Sequence, residues 1–297
     1  MELDIIYNKD CLEGMKRLPD GIINLVYIDP PFCTQKNRGY KDVWKWDEEI
    51  ESHYDIIKDC KVIKAFKILL GRNYLFVYLV YIYIRIMEMH RVLAGDGSIY
   101  VHCDYRVDSY LRLILDDIFG KENFVNEIIW KYHAGTTPWK GLGRKHDVIL
   151  FYSKNPDFKF NQWREPIPPE KWKDYRFVDE EGRKYRLGGN RDTTRYYLDE
   201  GRAAVDVWVD INIINKAAKE RLNFPTQKPQ KLLERIVKMS SNEGDLVADF
   251  FCGSGTTCAV AKKLNRCYIG FEINLKGYKI AKSRLEAEKT LWDMKSE

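Results

Sequence analysis

Residues 246–257 read LVADFFCGSGTT, which is the most informative stretch of the sequence for the fold class. Its first three residues form a short apolar strand, two glycines follow at Gly253 and Gly255, and the helical pattern CAVAKKL comes next. A strand, a glycine loop and a helix in this order are typical of α/β proteins that bind a ligand where the loop meets the helix. Glycine allows the backbone to approach such a ligand closely.

The ligand predicted for this loop is a nucleoside rather than a phosphate. No lysine follows the glycines, which excludes a phosphate-binding P-loop, and Cys258 stands where a dinucleotide-binding fingerprint has a third glycine. The next apolar run ends near Glu272, 17 residues after Gly255. That spacing is close to the one at which a carboxylate on the second strand binds ribose hydroxyls.

Elsewhere in the chain, short β-branched or aromatic runs alternate with helical patterns, as in a mostly parallel sheet covered by helices. One helix is predicted over 108–118, where apolar residues recur with the helical period. A doubly wound α/β core follows. Its predicted strands are LDIIYN at 3–8, INLVYID at 23–29, SIYVHCD at 98–104, VILFYS at 148–153, LVADFF at 246–251 and CYIGFEI at 267–273.

Composition excludes several classes of protein. The 297 residues carry a formal charge of +5, which is compatible with a polyanionic partner without demanding one. Seven cysteines, an odd number without a Cys-x-x-Cys pair, indicate neither a metal site nor a disulfide framework and favour the reducing cytoplasm. The first residues, MELDIIYNKD, lack the features of a signal peptide. The apolar run 74–84 is far shorter than the ~20 residues of a membrane span, so we expect a buried helix or strand and no membrane partner.

A second candidate site lies at Asp29-Pro30-Pro31-Phe32, directly after an apolar strand. The carboxyl ends of strands form the ligand-binding edge of an α/β sheet. Two prolines fix a rigid turn without N–H donors, so that carbonyl acceptors stand beside a carboxylate. Acceptors of this kind can hold the hydrogens of an aryl amine and turn its lone pair towards a methyl donor, while Phe32 stacks on the ring. The alternative is a purely structural role, in which these residues form a turn that ends the strand.

Alternation of strands and helices stops between 154 and 221. Aromatic residues such as Trp163 and Tyr185 are scattered there among basic ones such as Arg176 and Arg186. This mixture predicts a nucleic-acid recognition region, because cations neutralise phosphates and aromatic rings stack on bases. An irregular insertion with ordinary surface charge is the alternative.

Four motifs together resemble the β-class amino-methyltransferases, with the Asp-Pro-Pro-aromatic motif before the Phe-x-Gly-x-Gly motif as in that family. The other two are Asp10-Cys11-Leu12 and Pro225-Thr226-Gln227-Lys228-Pro229. The resemblance thins between 33 and 90 and in the recognition region, and Phe250 departs from the proline that many relatives carry. It implies a doubly wound, mostly parallel, seven-stranded Rossmann-like methyltransferase sheet with a target-recognition insertion. Residues 1–153 would then be the catalytic half of the core, 154–221 the recognition region and 222–297 the cofactor-binding half.

The resemblance also implies an activity: transfer of a methyl group from S-adenosylmethionine to adenine N6 in double-stranded DNA, with the target base flipped out of the duplex. Asp29, Pro30, Pro31 and Phe32 would be catalytic. Asp10 would lie near the adenine of the cofactor, Glu272 would hold its ribose and Lys228 its carboxylate. The remaining cofactor-binding candidates are Cys11, Asp249, Phe251, Gly253, Gly255, Thr256 and Thr257. No metal is expected.

Other substrates stay open at this point. Cytosine N4, an RNA amine or a protein glutamine can be held by its hydrogens in the same way, although in the family Asp at the first motif position accompanies adenine more often and Ser cytosine. A DNA-binding subunit without catalysis, within a restriction complex, is a reading of another class, and the presence of all the catalytic candidates argues against it. A nicotinamide dehydrogenase leaves the two prolines unexplained. A homodimer and a partner restriction nuclease are both open.

Overall fold

The computed structural model describes residues 2–35, 43–133, 138–188 and 194–288, which form two compact units. The first unit comprises residues 1–160 and 206–297, and the second comprises residues 161–205. The strands are β1 (Ile5–Tyr7), β2 (Ile23–Ile28), β3 (Leu93–Cys103), β4 (Phe124–Lys131), β5 (His146–Ser153), β6 (Arg164–Glu165), β7 (Phe177–Val178), β8 (Lys184–Gly188), β9 (Thr194–Tyr197), β10 (Arg202–Ala203), β11 (Val207–Trp208), β12 (Leu246–Asp249) and β13 (Cys267–Phe271). The α-helices are α1 (Cys11–Met15), α2 (Glu48–Ile57), α3 (Lys61–Leu70), α4 (Tyr74–Val92), α5 (Asp108–Phe119), α6 (Gln230–Ser240), α7 (Thr256–Lys263) and α8 (Leu275–Ala287).

A mostly parallel sheet forms the centre of the first unit, with the strand order β1-β13-β12-β2-β3-β5-β4-β11. Only β5 runs antiparallel to its neighbours in the described residues. The chain leaves β2 towards β3 on one side and leaves β12 towards β13 on the other, so the order reverses between β2 and β12. The predicted doubly wound α/β fold is confirmed. The sheet has eight described strands rather than seven, because the two-residue β11 pairs with β4 at the edge.

Every predicted strand is present, and the predicted helix 108–118 is α5. Two strands of the sheet have no counterpart among the predicted runs: the two-residue β11 and the longer β4. The exposed residues Asn126 and Glu127 interrupt its apolar pattern, so that only its second half, around Ile128 and Trp130, is buried.

Helices cover both faces of the sheet. Ile99 and Val101 of β3 pack in the cluster that contains the buried side chains of α4. Tyr100 points to the opposite face, where its hydroxyl lies 2.7 Å from Ser240 Oγ of α6. Because successive side chains of a strand alternate between faces, α4 and α6 lie on opposite sides of the sheet.

The apolar run 74–84 is the first part of α4, a buried helix. Asn73 begins the helix, since its side chain accepts a hydrogen bond from the Phe76 N–H at 2.9 Å. Helices α1, α2, α3 and α5 all pack against α4, which explains why it is apolar on every side. No helix in the described part of the chain is long and apolar enough to cross a membrane.

The second unit contains two small antiparallel sheets, β10-β6 and β7-β8-β9. In the three-stranded sheet, Phe177 pairs with Tyr185 and Tyr185 with Tyr197, so three aromatic rings form a row across one face. The Arg195 guanidinium lies 4.9 Å from the centre of the Tyr185 ring. The predicted boundaries of the recognition region, 154 and 221, stay predictions.

Truncation of α4 tests its place in the core. We expect Ile82→Ala to lower the free energy of unfolding by about 2–5 kcal/mol, because Ile82 is fully buried and its loss leaves a cavity. The control is Ile68→Ala on α3, where the side chain is 87% exposed, and we expect a change below about 0.5 kcal/mol. Urea unfolding measures both values, and equal effects of the two substitutions would contradict the packing described above.

Candidate active site

A cavity lies where the strand order reverses. It is lined from the carboxyl end of β2, from the loop after β12 and from the residues that follow β13. In open α/β sheets, ligands bind in the crevice at this reversal.

Most of the predicted site residues meet in this cavity, although more than 200 positions separate the two motifs in the chain. Asp10, Cys11 and Gly255 are not among its lining residues. The predicted residues that line it are Asp29, Pro30, Pro31, Phe32, Lys228, Asp249, Phe251, Gly253, Thr256, Thr257 and Glu272.

The Asp29 carboxylate has two different oxygens. Oδ2 forms an ion pair with the Lys228 ammonium, and both side chains are largely buried. Oδ1 is buried and has no hydrogen-bond partner within the described part of the chain. A buried acceptor without a donor is costly, so this oxygen can accept a hydrogen bond from a donor that a ligand brings.

Phe32 lies between a cation and a buried imidazole. Lys228 Nζ is 5.3 Å from the centre of the Phe32 ring, and the His102 ring stacks against it with the centres 5.9 Å apart. His102 is fully buried, with Nδ1 2.9 Å from the Tyr27 hydroxyl and Nε2 3.2 Å from Asp147 Oδ2. Hydrogen bonds on both nitrogens fix the plane of the imidazole, and thereby the surface on which Phe32 rests.

Asp147 anchors this arrangement from β5. Burial would raise the pKa of the Asp147 carboxyl, but hydrogen bonds from His102 and from Tyr132, whose hydroxyl lies 3.1 Å from Oδ1, hold the pKa below its ordinary value. The carboxylate therefore stays ionised at neutral pH.

The two loop glycines serve different purposes. Gly253 has φ +51°, its N–H donates to Glu272 Oε2 at 2.7 Å, and a Cβ there would meet the Phe224 ring at 3.1 Å. Gly255 has φ +71°, and a Cβ would come within 2.8 Å of the Ala281 Cβ. Gly253 thus opens the backbone to the cavity, whereas Gly255 allows α7 to approach α8.

Glu272 is held by the backbone at the mouth of the same loop. Its two carboxylate oxygens accept from the N–H groups of Gly253 and Asn274, each at 2.7 Å. Burial raises the pKa of Glu272 despite these bonds. A carboxylate fixed in this way can still accept hydrogen bonds from hydroxyl groups of a ligand.

Asp249 is the most deeply buried acid of the cavity. Burial raises the pKa of its carboxyl to about 7, against hydrogen bonds from Thr257 Oγ1 at 2.5 Å and the Phe251 N–H at 3.0 Å. The nearby charges of Asp29 and Glu272 raise the pKa further. The site therefore gains from any cation that a ligand brings next to these acids.

Asp10 and Cys11 lie at the start of α1 and contact α4 instead of the cavity. Asp10 Oδ1 caps the helix by accepting from the Leu12 N–H at 2.8 Å, and Oδ2 pairs with the buried Arg85 at 2.7 Å. The Cys11 thiol is fully buried, which raises its pKa to about 12. The Arg85 guanidinium also lies over the ring of Tyr81, 3.4 Å from its centre, and Tyr81 lines the cavity.

Sequence reasoning missed part of the cavity lining and the His102–Asp147 pair that lies behind Phe32. Tyr81 is hidden in the uniformly apolar α4, and His102 and Asp147 lie in strands that look like ordinary core. Phe224 could have been found, since it directly precedes the Pro-Thr-Gln-Lys-Pro motif. The additional lining residues are Tyr27, Tyr81, Phe224, Thr226, Gln227, Leu233, Cys252, Ser254 and Ile273. The described residues contain no group of three or more His, Cys, Asp or Glu that could hold a metal ion.

The raised pKa of Asp249 predicts a measurable pH dependence of stability. In the ligand-free protein, the folded state keeps the proton up to about pH 7, whereas the unfolded carboxyl loses it near its ordinary pKa of 3.8. The free energy of unfolding should therefore contain a component that falls as pH rises between these values, by up to about 1.4 kcal/mol per pH unit. Asp249→Asn removes that component. Urea unfolding of both proteins at several pH values measures it, and parallel pH profiles would contradict the assignment.

Comparisons with known proteins identify the family of this chain. The family model described as DNA methylase (N6_N4_Mtase) matches residues 23–283. Type II methyltransferase M.HpaI of Haemophilus parainfluenzae is 31% identical over 281 residues, covering 94% of this chain and 73% of that protein. DNA adenine methyltransferase YhdJ of Escherichia coli is 28% identical over 289 residues, covering 96% of this chain and 83% of that protein.

Solved structures show the same fold. The cytosine-N4-specific PvuII DNA methyltransferase aligns with a TM-score of 0.62 at 17% identity, covering 94% of this chain and 85% of that one. A DNA modification methylase of Thermus thermophilus in complex with S-adenosyl-L-methionine aligns with a TM-score of 0.55 at 19% identity, covering 95% and 93%. The family match over most of the chain confirms the resemblance drawn from the motifs: this protein belongs to the N6/N4 DNA methylase family.

Proposed function

We propose that this protein transfers a methyl group from S-adenosylmethionine to N6 of adenine in double-stranded DNA. One observation carries the proposal: Asp29 ends β2 with a buried carboxylate oxygen that has no hydrogen-bond partner among the described residues, in the same cavity as the Phe32 ring. An exocyclic amine supplies the donor that this oxygen lacks.

The chemistry of an aryl amine explains the need for this arrangement. Its lone pair is delocalised into the ring, so the nitrogen attacks poorly until its hydrogens are held out of the ring plane. Asp29 Oδ1 and the carbonyl of Pro30 accept those two hydrogens, and Phe32 stacks on the base. The nitrogen becomes positively charged as its bond to the methyl carbon forms and the carbon–sulfur bond of the methyl donor breaks, which leaves a neutral thioether. The Asp29 carboxylate stabilises the charge on the nitrogen and takes the proton that the nitrogen then loses.

The other half of the cavity fits the methyl donor, which supplies an electrophilic methyl group on a sulfonium. Glu272 accepts the ribose hydroxyls, and the open backbone at Gly253 admits the methionine end. Asp249 and Asp29 favour a cationic ligand at this position. Lys228 pairs with Asp29 before the donor binds, and it exchanges that partner for the donor's carboxylate, which frees Asp29 Oδ2.

Adenine is proposed as the target base for two reasons. In β-class enzymes an aspartate at the first position of this motif accompanies adenine more often than cytosine, and Asp29 is that residue. YhdJ, which is 28% identical over nearly the whole chain, is named an adenine methyltransferase. Cytosine N4 uses the same acceptors and is the alternative that the experiment below distinguishes.

Recognition of the DNA sequence is assigned to residues 154–221. The aromatic row of Phe177, Tyr185 and Tyr197, with Arg195 over it, supports this role because such surfaces stack on bases and neutralise phosphates. Since M.HpaI and other relatives are named type II methyltransferases, we further propose a restriction-modification setting, in which the methylated site is one that a partner nuclease cuts.

The decisive measurement uses labelled S-adenosylmethionine and unmethylated genomic DNA, followed by digestion to nucleosides. We expect the label in N6-methyladenine. Label in N4-methylcytosine would keep the mechanism and overturn the base. No label in DNA, with binding of S-adenosylmethionine verified, would overturn DNA as the substrate.

Two substitutions separate the halves of the cavity. Asp29→Ala should lower kcat by at least about a hundredfold while S-adenosylmethionine still binds, since the lost acceptor belongs to the target amine. Gly253→Arg should abolish binding of S-adenosylmethionine, because its side chain would fill the open backbone position beside Phe224. Equilibrium binding of the cofactor and single-turnover methylation measure the two effects. Turnover by Asp29→Ala at the wild-type rate would remove the proposed role of this carboxylate.

A further inference from the structure

The connection between β4 and β5 exposes two large apolar side chains. Trp139 is 100% exposed and Leu142 is 91% exposed, on either side of Gly141, which has φ +90°. Tryptophan combines a large apolar surface with a polar N–H and is enriched at interfaces, so this exposed pair is a candidate contact surface. We call the described part of this connection, residues 138–145, the tip loop.

The charge of the connection that contains the tip loop is complementary to an anionic partner. The stretch 131–146 contains four basic residues, Lys131, Lys140, Arg144 and Lys145, and no Asp or Glu. The Arg144 guanidinium stacks on the ring of Tyr105, 3.9 Å from its centre, which holds the end of the loop next to β5. Apolar side chains flanked by cations alone fit a polyanion with an apolar interior, as a DNA duplex is.

Strand pairing places the tip loop at the catalytic edge of the sheet. β5 starts opposite the end of β3, with Val148 paired to Cys103, and the end of β3 lies beside the end of β2, with Val101 paired to Ile28. The tip loop therefore leaves the sheet at the edge where Asp29 follows β2.

Direct contacts join the base of the loop to the site. Asp147, two residues after the tip loop, is bonded to His102, and the His102 ring stacks on Phe32. Tyr132, the first residue after β4, donates a hydrogen bond to the same Asp147. The base of the tip loop is therefore connected through a single residue, His102, to the Phe32 ring on which the target base is proposed to stack.

We infer that the tip loop enters the DNA duplex at the target position, where Trp139, with Leu142 beside it, fills the space that the extruded base leaves. This inference rests on the proposed function, which requires the base to leave the stack. Extrusion costs the stacking of the base with its neighbours, and an aromatic wedge restores part of that stacking. Lys140 and Arg144 contact the phosphates on either side.

The test compares Trp139→Ala with Trp139→Phe and with Ile68→Ala, an exposed apolar residue of α3. The probe is a duplex that carries the target site, identified from methylated genomic DNA, with 2-aminopurine as the target base so that extrusion raises the fluorescence. We expect Trp139→Ala to lose most of the fluorescence rise and at least about tenfold in kcat/KM on the normal duplex. Trp139→Phe and Ile68→Ala should stay within about threefold of the wild type, and all variants should bind S-adenosylmethionine equally.

A second substrate separates a wedge from a general loss of DNA binding. When the target base is mismatched, extrusion is already cheap, so Trp139→Ala should recover to within about threefold of the wild type on that duplex. An equal loss on matched and mismatched DNA, or a full fluorescence rise with Trp139→Ala, overturns the wedge. If the wild type itself methylates no DNA, the proposed function fails instead, and the two failures are therefore distinguishable.

Discussion

The pairing of β2 with β12 is the constraint on which the site depends. Val247 pairs with Leu25 and Ala248 with Val26, so Asp29 and Asp249 come to the same edge of the sheet. Two buried carboxylates so close together repel each other, and the repulsion is relieved in a different way at each residue. Asp29 takes the Lys228 ammonium, whereas Asp249 keeps its proton up to about pH 7. A cofactor with a sulfonium and an ammonium compensates the same charge, so the electrostatics of the ligand-free fold already favour a cationic methyl donor.

Helix α4 packs next to this edge, on the face of the sheet opposite to α6. Its single buried guanidinium, that of Arg85, pairs with Asp10, lies 3.7 Å from Glu49 and covers the ring of Tyr81. A buried cation is tolerated only when its partners stay in place, so Arg85 ties the start of α1 and the Tyr81 ring to one helix. Both carboxylate oxygens of Asp10 already accept hydrogen bonds, one from Arg85 and one from the Leu12 N–H that begins α1. Its proposed role near the cofactor's adenine is therefore one of position rather than of a free acceptor.

The sequence predicted what local pattern encodes and missed what only tertiary contact creates. Six sheet strands, α5, and the meeting of Asp29 with Gly253 and Glu272 follow from apolar runs, glycine spacing and motif order. The half-exposed β4 has too weak a pattern, and β11 is too short to have one. His102 and Asp147 are 45 positions apart and carry no motif, because their bond exists only through the pairing of β3 with β5. Such contacts depend on strand register, which a single sequence does not specify.

The departure at Phe250 shows how packing replaces a motif residue. Many relatives carry proline there, which restricts the backbone at the entry of the glycine loop. Here the Phe250 ring is buried and stacks on Phe271 of β13, with the ring centres 5.6 Å apart. The Asp249 carboxylate bonds both the Phe251 N–H and the Thr257 hydroxyl, so it bridges the two ends of the loop. An aromatic anchor and a side-chain bridge therefore supply the rigidity that a proline would give, and the loop keeps the conformation in which Gly253 faces the cavity.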